Sequence, residues 1–326
     1  PGYFREGTKF LFDGLALTGA GGTPYELLDT QGLNYTEVLR GANAFEYGAL
    51  SLGGAINFVT NSGLTAPGNR IKLEGGSFGW QKQTLSTGGV AGNADYFVSI
   101  DNSSRDGYQD FTFTKAKGVV SNFGYRFNPK LETRLYIRYR EEYHENSGTL
   151  TLAQLKKNSK QTNAATYATR GDSTKRGSTW VGSKTTYTFD DDATLEAGLV
   201  YHNYPQILSR KSTVNPNYWD WRDINYSLKY SRTDQLFGLP STSTVGWSST
   251  EHVRSGVRTY RGDKDLDVLQ KQVEYDGSFD HVFSLGNDLG LTDRLYLATG
   301  VSAIQIKRDI NVTFSDRANT SGLPDH

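Results

Sequence analysis

Side chains able to carry catalysis or hold a metal are present in this sequence, but never at a productive spacing. The five histidines, His144, His202, His252, His281 and His326, are scattered, with no His-x₃-His pair and no Gly-x-Ser-x-Gly elbow. Such histidines read as solvated loop or strand-end residues. Asp263, Asp265 and Asp267 with Glu274 trace the outline of a calcium loop, yet Val268 stands where the sharp turn needs glycine. Gly41, Gly48, Gly53 and Gly54 fall within fourteen residues and describe a tightly folded turn. Neither the Gly-Lys-Ser/Thr ending of a phosphate loop nor the GxGxxG spacing of a dinucleotide site accompanies them. No catalytic residue, cofactor or metal ligand is assigned, and the chain reads as a non-enzyme. More suggestive are three cations, Arg134, Arg138 and Arg140, at even positions of a segment whose odd positions are Leu131, Thr133, Leu135, Ile137 and Tyr139.

That alternation defines the elements. Tyr96, Val98 and Ile100 alternate with Asp95, Phe97 and Ser99; Val119, Ser121, Phe123, Tyr125 and Phe127 share a face; Leu135, Ile137 and Tyr139 do likewise. Later faces are Leu195/Ala197/Leu199/Tyr201, Ile224/Tyr226/Leu228/Tyr230, Val273/Tyr275/Phe279 and Leu295/Leu297/Val301. Period-two alternation of this length predicts strands with one apolar and one polar face. Short turns are expected near Asn93, Pro129, Asp191, Pro240 and Gly286, and longer connections near 104–112, 144–178, 204–222, 252–267 and after 307. Such segregation of turn length is the rule for outer-membrane barrels and has no reason to exist in a soluble sandwich. Counting gives about eleven strands, half of the about 22 in plugged transporters.

Composition agrees without deciding. Hydrophobic residues are 36% of the 326, aromatics 13%, with 20 Tyr, 16 Phe and 36 Gly. No run approaches the ~20 apolar residues of a spanning helix. A transmembrane barrel and a large soluble β-protein both fit these figures. Basic and acidic residues balance at 35 each, so nothing draws the chain to nucleic acid. There is no cysteine, hence no disulfide or thiolate metal site. Methionine is absent and the first residue is Pro1, which reads as an internal piece of a longer polypeptide.

The glycine-rich turn lies between two short apolar strands, Glu37–Leu39 and Ala55–Thr60. The whole string resembles the plug signature of TonB-dependent outer-membrane receptors: Val38-Leu39-Arg40-Gly41, then Tyr47-Gly48, then Gly53-Gly54-Ala55-Ile56-Asn57 and Val59-Thr60. Within that string Ala42, after Gly41, departs from the proline common there; upstream, Phe10-Leu11-Phe12-Asp13-Gly14-Leu15 resembles the plug strand that ends in Asp-Gly. Lys9–Leu17 reads as one buried strand, Tyr25–Gly32 as a short helix, and Ser62–Asn69 as a linker.

The resemblance implies an all-β protein: residues 1–66 are the later part of a plug domain, and 70–326 the N-terminal half of a 22-stranded transmembrane antiparallel barrel, truncated in an extracellular loop. It implies a monomer in the outer membrane of a Gram-negative bacterium. Its partners would be lipid, TonB with the inner-membrane energising complex, and an extracellular ligand, foremost a ferric siderophore or ferric citrate-type chelate. Cobalamin or a glycan is the alternative cargo. Arg40 is either an exposed turn residue or, inside a filled barrel, a buried cation that must pair with the wall, because an unpaired buried charge costs several kcal/mol. Thr23 and Tyr25 would sit at the plug tip, offering a hydroxyl and an aromatic face to the ligand. If Leu135, Ile137 and Tyr139 face lipid, Arg138 and Arg140 point inward with Lys184 and Lys229, and either attract an anionic chelate or merely contact plug carboxylates. A passive porin or adhesin, and a soluble β-rich hydrolase, are the competing functions.

Overall fold

The computed structural model describes residues 8–17, 25–40, 54–145, 147–163, 172–190, 192–209, 217–253, 255–261 and 268–315. They form two antiparallel-dominated sheets. The small N-terminal one contains β1 (Thr8–Phe12), β2 (Leu15–Ala16), β3 (Leu33–Leu39) and β4 (Gly54–Thr60), in the order β2-β1-β4-β3. β1 and β4 run parallel, with Leu11 beside Asn57 and Phe12 beside Phe58, so the two segments that carry the family resemblance are direct neighbours. The expected single strand Lys9–Leu17 is instead a hairpin. Asp13 and Gly14 both adopt left-handed backbone (φ 56 and 81) and turn the chain back on itself. The expected helix at 25–32 is a single 3-10 turn, Tyr25–Leu28.

The large sheet begins with β5 (Gly68–Gly75), β6 (Gln81–Ala91), β7 (Ala94–Arg105), β8 (Thr114–Asn128), β9 (Leu131–Glu145) and β10 (Asp172–Asp190). It continues with β11 (Ala193–Ser209), β12 (Asn217–Leu236), β13 (Leu239–His252), β16 (Phe279–Thr292) and β17 (Leu295–Lys307). These eleven strands pair in one continuous path from β5 to β17. Off that path, β14 (Gly256–Arg261), β15 (Val268–Glu274) and β18 (Asn311–Ser315) prolong β13, β16 and β17 beyond breaks at 253–255, 275–278 and 308–310. Two hydrogen bonds link the three breaks in turn, Ser255 N to Asp276 Oδ1 at 2.7 Å and Asp309 N to Ser278 Oγ at 2.8 Å, so the neighbouring irregularities are tied in one line.

Tight turns join strands at one end of this wall, at Gly92-Asn93, Pro129-Lys130, Phe237-Gly238 and Asp293-Arg294. The last two replace the expected turns at Pro240 and Gly286, which lie inside β13 and β16. Phe237 itself takes a left-handed conformation (φ 55) before Gly238 (φ 77), a turn that residue type does not announce. At the other end the expected long connection at 204–222 is mostly strand, because β11 runs to Ser209 and β12 starts at Asn217. One short helix, α1 (Leu152–Lys157), opens with a capping box between Thr151 and Gln154.

One face of the wall exposes apolar side chains: Leu85, Ile100, Phe123, Leu135, Leu199, Leu228, Phe283 and Val301 are all exposed. The N-terminal sheet packs on the opposite, inner face, where Phe12, Leu15, Leu17 and Leu27 join Tyr136, Trp180 and Val200 in a buried cluster. Residues 61–66 connect the sheets and lie against the β6–β7 hairpin. A Cβ on Gly63 would fall 2.0 Å from Gly89 O and 2.8 Å from Tyr96 O, so only glycine fits there. Among the described residues no helix is long and apolar enough to cross a membrane, which bears only on helices.

Candidate functional site

The two sheets meet along a polar seam centred on Thr60. Its backbone N–H and its hydroxyl donate to the two carboxylate oxygens of Asp13 at 2.8 and 2.7 Å. The next residue of the turn, Gly14, donates its N–H to Asn57 Oδ1 at 2.9 Å, and Asn57 Nδ2 donates to Glu37 Oε2 at 2.7 Å. The Asp-Gly turn and the Ile-Asn-Phe-Val-Thr strand are therefore matched pieces of one hydrogen-bonded unit. From the wall, Arg138 Nη2 donates to Thr60 Oγ1 at 2.8 Å, and its guanidinium lies 3.9 Å over the Phe12 ring. A desolvated cation on an aromatic face is worth about 2 kcal/mol. Arg138 Nε and Nη1 find no acceptor among the described residues. Burial lifts the Asp13 carboxyl above its ordinary range, against the opposing pull of Arg138, the Thr60 hydrogen bonds and Lys184.

One layer further toward the open end of the wall lies a second, ionic contact. Arg140 Nη2 meets Asp29 Oδ2 at 2.8 Å, and Nη1 donates to Asp101 at 3.1 Å. Lys82 Nζ lies 3.0 Å from Asp29 and 3.9 Å from Asp101. Two cations and two anions thus balance, three from the wall and Asp29 from the N-terminal segment. Partial burial works against the charged form of Asp29, but Arg140 and Lys82, with the Gln31 N–H, outweigh it and hold its carboxyl below the usual carboxylate range. Nearby, Gln31 Nε2 donates to Ser99 Oγ at 2.7 Å. Toward the tight-turn end, Arg134 binds Asp95 at 2.7 Å, and Asp95 Oδ1 accepts from Gly63 N at 3.1 Å. On β10, Trp180 Nε1 donates to Ala16 O at 3.1 Å and Lys184 Nζ to Asp13 O at 2.8 Å.

Above Arg140, away from the tight turns, a cleft of about 300 Å³ is bordered by Trp80, Arg105, Lys115, Arg140 and Glu142. Arg105 lies 5.8 Å over the Phe78 ring, which meets Tyr108 edge-on at 5.3 Å. Arg105 and Arg140 share the inner face with Glu142, whereas Lys115 takes the outer-face parity of Phe123 and lies over the Tyr143 ring. Two inner-face cations to one carboxylate, beside exposed aromatic rings, suit an anionic ligand with planar or oxygen-rich groups.

Of the site residues expected from sequence, Arg138 and Arg140 come together on the inner face as the alternation required. Both guanidiniums engage the N-terminal segment, and Arg140 alone also borders the cleft. Thr23 lies outside the described residues, as do Asp263, Asp265 and Asp267. Tyr25 opens the 3-10 turn, and only its backbone is described. Arg40 is exposed at the end of β3 and forms no ion pair among the described residues. Two histidines depart from the solvated expectation: His202 and His252 are buried in the wall, with His252 Nδ1 2.6 Å from Asp223 Oδ1. Asp29, Lys82 and Asp101 are not singled out by sequence. Strand parity puts Lys82 and Asp101 on the same face as Arg140, but nothing local marks Asp29 as their partner.

No protein-family model matches the sequence, and no curated protein does either. Solved structures do. The chain is similar to the unliganded ferric citrate transporter FecA, with TM-score 0.75 and 13% identity over 94% of this chain and 49% of that one. It is similar to the ferric-catecholate import receptor Fiu of E. coli K12 in its open form, with TM-score 0.71, 12% identity and coverage of 98% and 55%. The ferripyoverdine receptor of the outer membrane of Pseudomonas aeruginosa follows, with TM-score 0.66, 14% identity and coverage of 95% and 47%. The chain spans about half the length of the receptors it matches. At this identity the likeness is one of fold.

Proposed function

We propose that this chain is part of a TonB-dependent outer-membrane receptor that takes up a ferric siderophore or ferric citrate-type chelate. On this reading residues 1–66 are the later part of the plug, and residues 70–326 one half of the barrel wall. The observation that carries it is the seam: a small sheet bound to the inner face of a tall antiparallel wall through Thr60, Arg138, Asp29 and Arg140. A passive pore has no use for a segment so fastened across its lumen.

The wall supports a membrane setting. Strands β7 to β13 run from 12 to 20 residues, longer than the about 10 that a tilted strand needs to cross a bilayer. The exposed Leu, Ile, Val and Phe on the outer face are what lipid accepts, and the outward charges of β8 and β9, Lys115, Lys117 and Glu141, lie near the strand ends away from the tight turns. Tight turns then lie in the periplasm and the Trp80 cleft faces outside, where the ligand arrives. Arg105 meets its negative charge, with Arg140 as the floor and Thr23 and Tyr25 at the plug tip. Arg138 belongs to the plug contact.

Uptake decides the matter. Cells lacking their own iron receptors and expressing the full-length protein are given radioactive ferric citrate, a ferric catecholate or a ferric hydroxamate. The expected result is accumulation of at least one chelate that disappears when TonB is deleted. Accumulation that persists without TonB would make the protein a passive pore.

A further inference from the structure

Asp101, Gly118 and Arg140 are cross-strand neighbours on β7, β8 and β9, all at inner-face positions. Gly118 puts no side chain between the two charged residues: a Cβ there would fall 2.9 Å from Arg140 Nη1 and 3.0 Å from Asp101 Oδ1. Nη1 accordingly reaches both Asp101 oxygens at 3.1 Å, a contact made within the wall. The other half of the guanidinium is used differently. Nη2 crosses the seam to Asp29 Oδ2 of the N-terminal segment at 2.8 Å.

Asp29 has a second cation at hand. Lys82 Nζ donates to both of its oxygens at 3.0 Å. Losing Arg140 therefore leaves the carboxylate paired, which a lone buried ion pair would not allow. The Asp29–Gln31 stretch otherwise touches the wall through Gln31, on Ser99 and Thr84, and the Gln31 N–H donates back to Asp29 Oδ1 at 2.8 Å. Arg140 is also the member of this ionic group that borders the cleft with Trp80, Arg105 and Glu142. One cation thus stands between a carboxylate of the N-terminal segment and the ligand space, with one half fixed and the other half free to change partner.

We propose that Arg140 switches partners on ligand binding: a negatively charged chelate entering the cleft takes Nη2 from Asp29, while Nη1 stays on Asp101. This rests on the reading of the cleft as the ligand site. The chelate must carry net negative charge, since only an anion replaces the carboxylate that Arg140 gives up. Asp29 then keeps Lys82 alone, and the 29–31 stretch is held less firmly to the wall. Linkage makes the effect reciprocal: the factor by which Asp29 weakens ligand binding is the factor by which the ligand weakens the Asp29 contact. Arg140 so sets both which ligands bind and how firmly the N-terminal segment stays attached once they do.

Asp29→Asn tests the switch in the full-length protein in detergent. Asparagine keeps an acceptor for the Gln31 N–H and removes the charge that competes with the ligand. Equilibrium binding is measured with ferric citrate and a ferric catecholate, both anionic, and with a neutral ferric hydroxamate. The variant should bind an anionic chelate about tenfold more tightly than the parent protein, with the hydroxamate unchanged. Mere structural damage would weaken binding instead. In the parent protein, saturating anionic chelate should raise amide hydrogen exchange at 29–31 by about the same tenfold, and Asp29→Asn should start at the raised level and not respond. Equal affinity in the two proteins, hydrogen exchange that the chelate leaves unaltered, or binding of the hydroxamate alone would overturn the switch and leave the receptor reading in place. Binding of none of the three chelates by either protein would remove the receptor reading, and the switch with it.

Discussion

Asp13 and Thr60, 47 residues apart in sequence, are held together by two hydrogen bonds, and the same Thr60 hydroxyl accepts from Arg138 of the wall. One side chain thus joins the turn after β1, the end of β4 and the large sheet. The Asp-Gly and Asn-x-Val-Thr pieces of the sequence exist in this protein as halves of that junction.

Thr60→Val tests the junction with little change of shape. It leaves Asp13 Oδ2 and Arg138 Nη2 buried without their shared partner, and hydrogen bonds to charged groups are worth about 1.5–3 kcal/mol each. Urea unfolding of the refolded full-length protein should show a loss of about 2–4 kcal/mol, whereas Thr60→Ser keeps the hydroxyl and should lose less than about 1 kcal/mol.

Arg140→Ala removes the cation that Asp29 and Asp101 share, with the side chains of Asp29 and Lys82 only 14% and 13% exposed. Breaking a buried pair by deleting one partner costs about 3–5 kcal/mol, of which the remaining Lys82 contact should recover part. The double variant Arg140→Ala with Asp29→Ala should be less destabilised than the sum of the singles by about 1–3 kcal/mol. Additive losses would mean that the two residues do not act on each other.

Acid should act on the seam in two opposite steps. The Asp13 carboxyl titrates above its ordinary range in the folded protein, so the stability it contributes is complete below about pH 4 and lost as pH rises through its folded value. Asp29 titrates below the ordinary range, so its contribution is present above about pH 4 and lost as pH falls through its folded value. Hydrogen-exchange protection of β1 and β4 should therefore rise on mild acidification and fall below about pH 4. Asp13→Asn should abolish the rise and Asp29→Asn should blunt the fall.

Much of the wall is legible in sequence because period two is a local property. Tyr96, Val98 and Ile100, or Leu135, Ile137 and Tyr139, fix by strand parity alone which way their neighbours point, Arg138 and Arg140 among them. Turns signalled by Asn93 and Pro129 fall where residue type puts them, while Phe237-Gly238 and Asp293-Arg294 carry no comparable signal. The hairpin within Lys9–Leu17 is hidden because its apolar residues read as one continuous run, and only Asp13-Gly14 interrupts them. Partners across the seam are a different kind of fact. Whether Arg140 meets a ligand or Asp29, and whether His252 is solvated or set against Asp223, depends on how separate segments dock.

Gly63 reports on docking through sterics alone. Alanine there brings a Cβ against two carbonyl oxygens of the β6–β7 hairpin, which cannot yield as a side chain would. Overpacking of this kind costs about 1–3 kcal/mol, and the melting temperature should drop accordingly. Gly92→Ala, in open space but at φ 59, should lose about 1 kcal/mol from backbone conformation only.

Ion conductance across a planar bilayer reaches the central claim, that the N-terminal sheet closes the lumen of this wall. The full-length protein should pass little current. Removing residues 1–66, with folding checked by heat-modifiable mobility on a gel, should open a wide, long-lived conductance. An equal conductance with and without those residues would contradict the account.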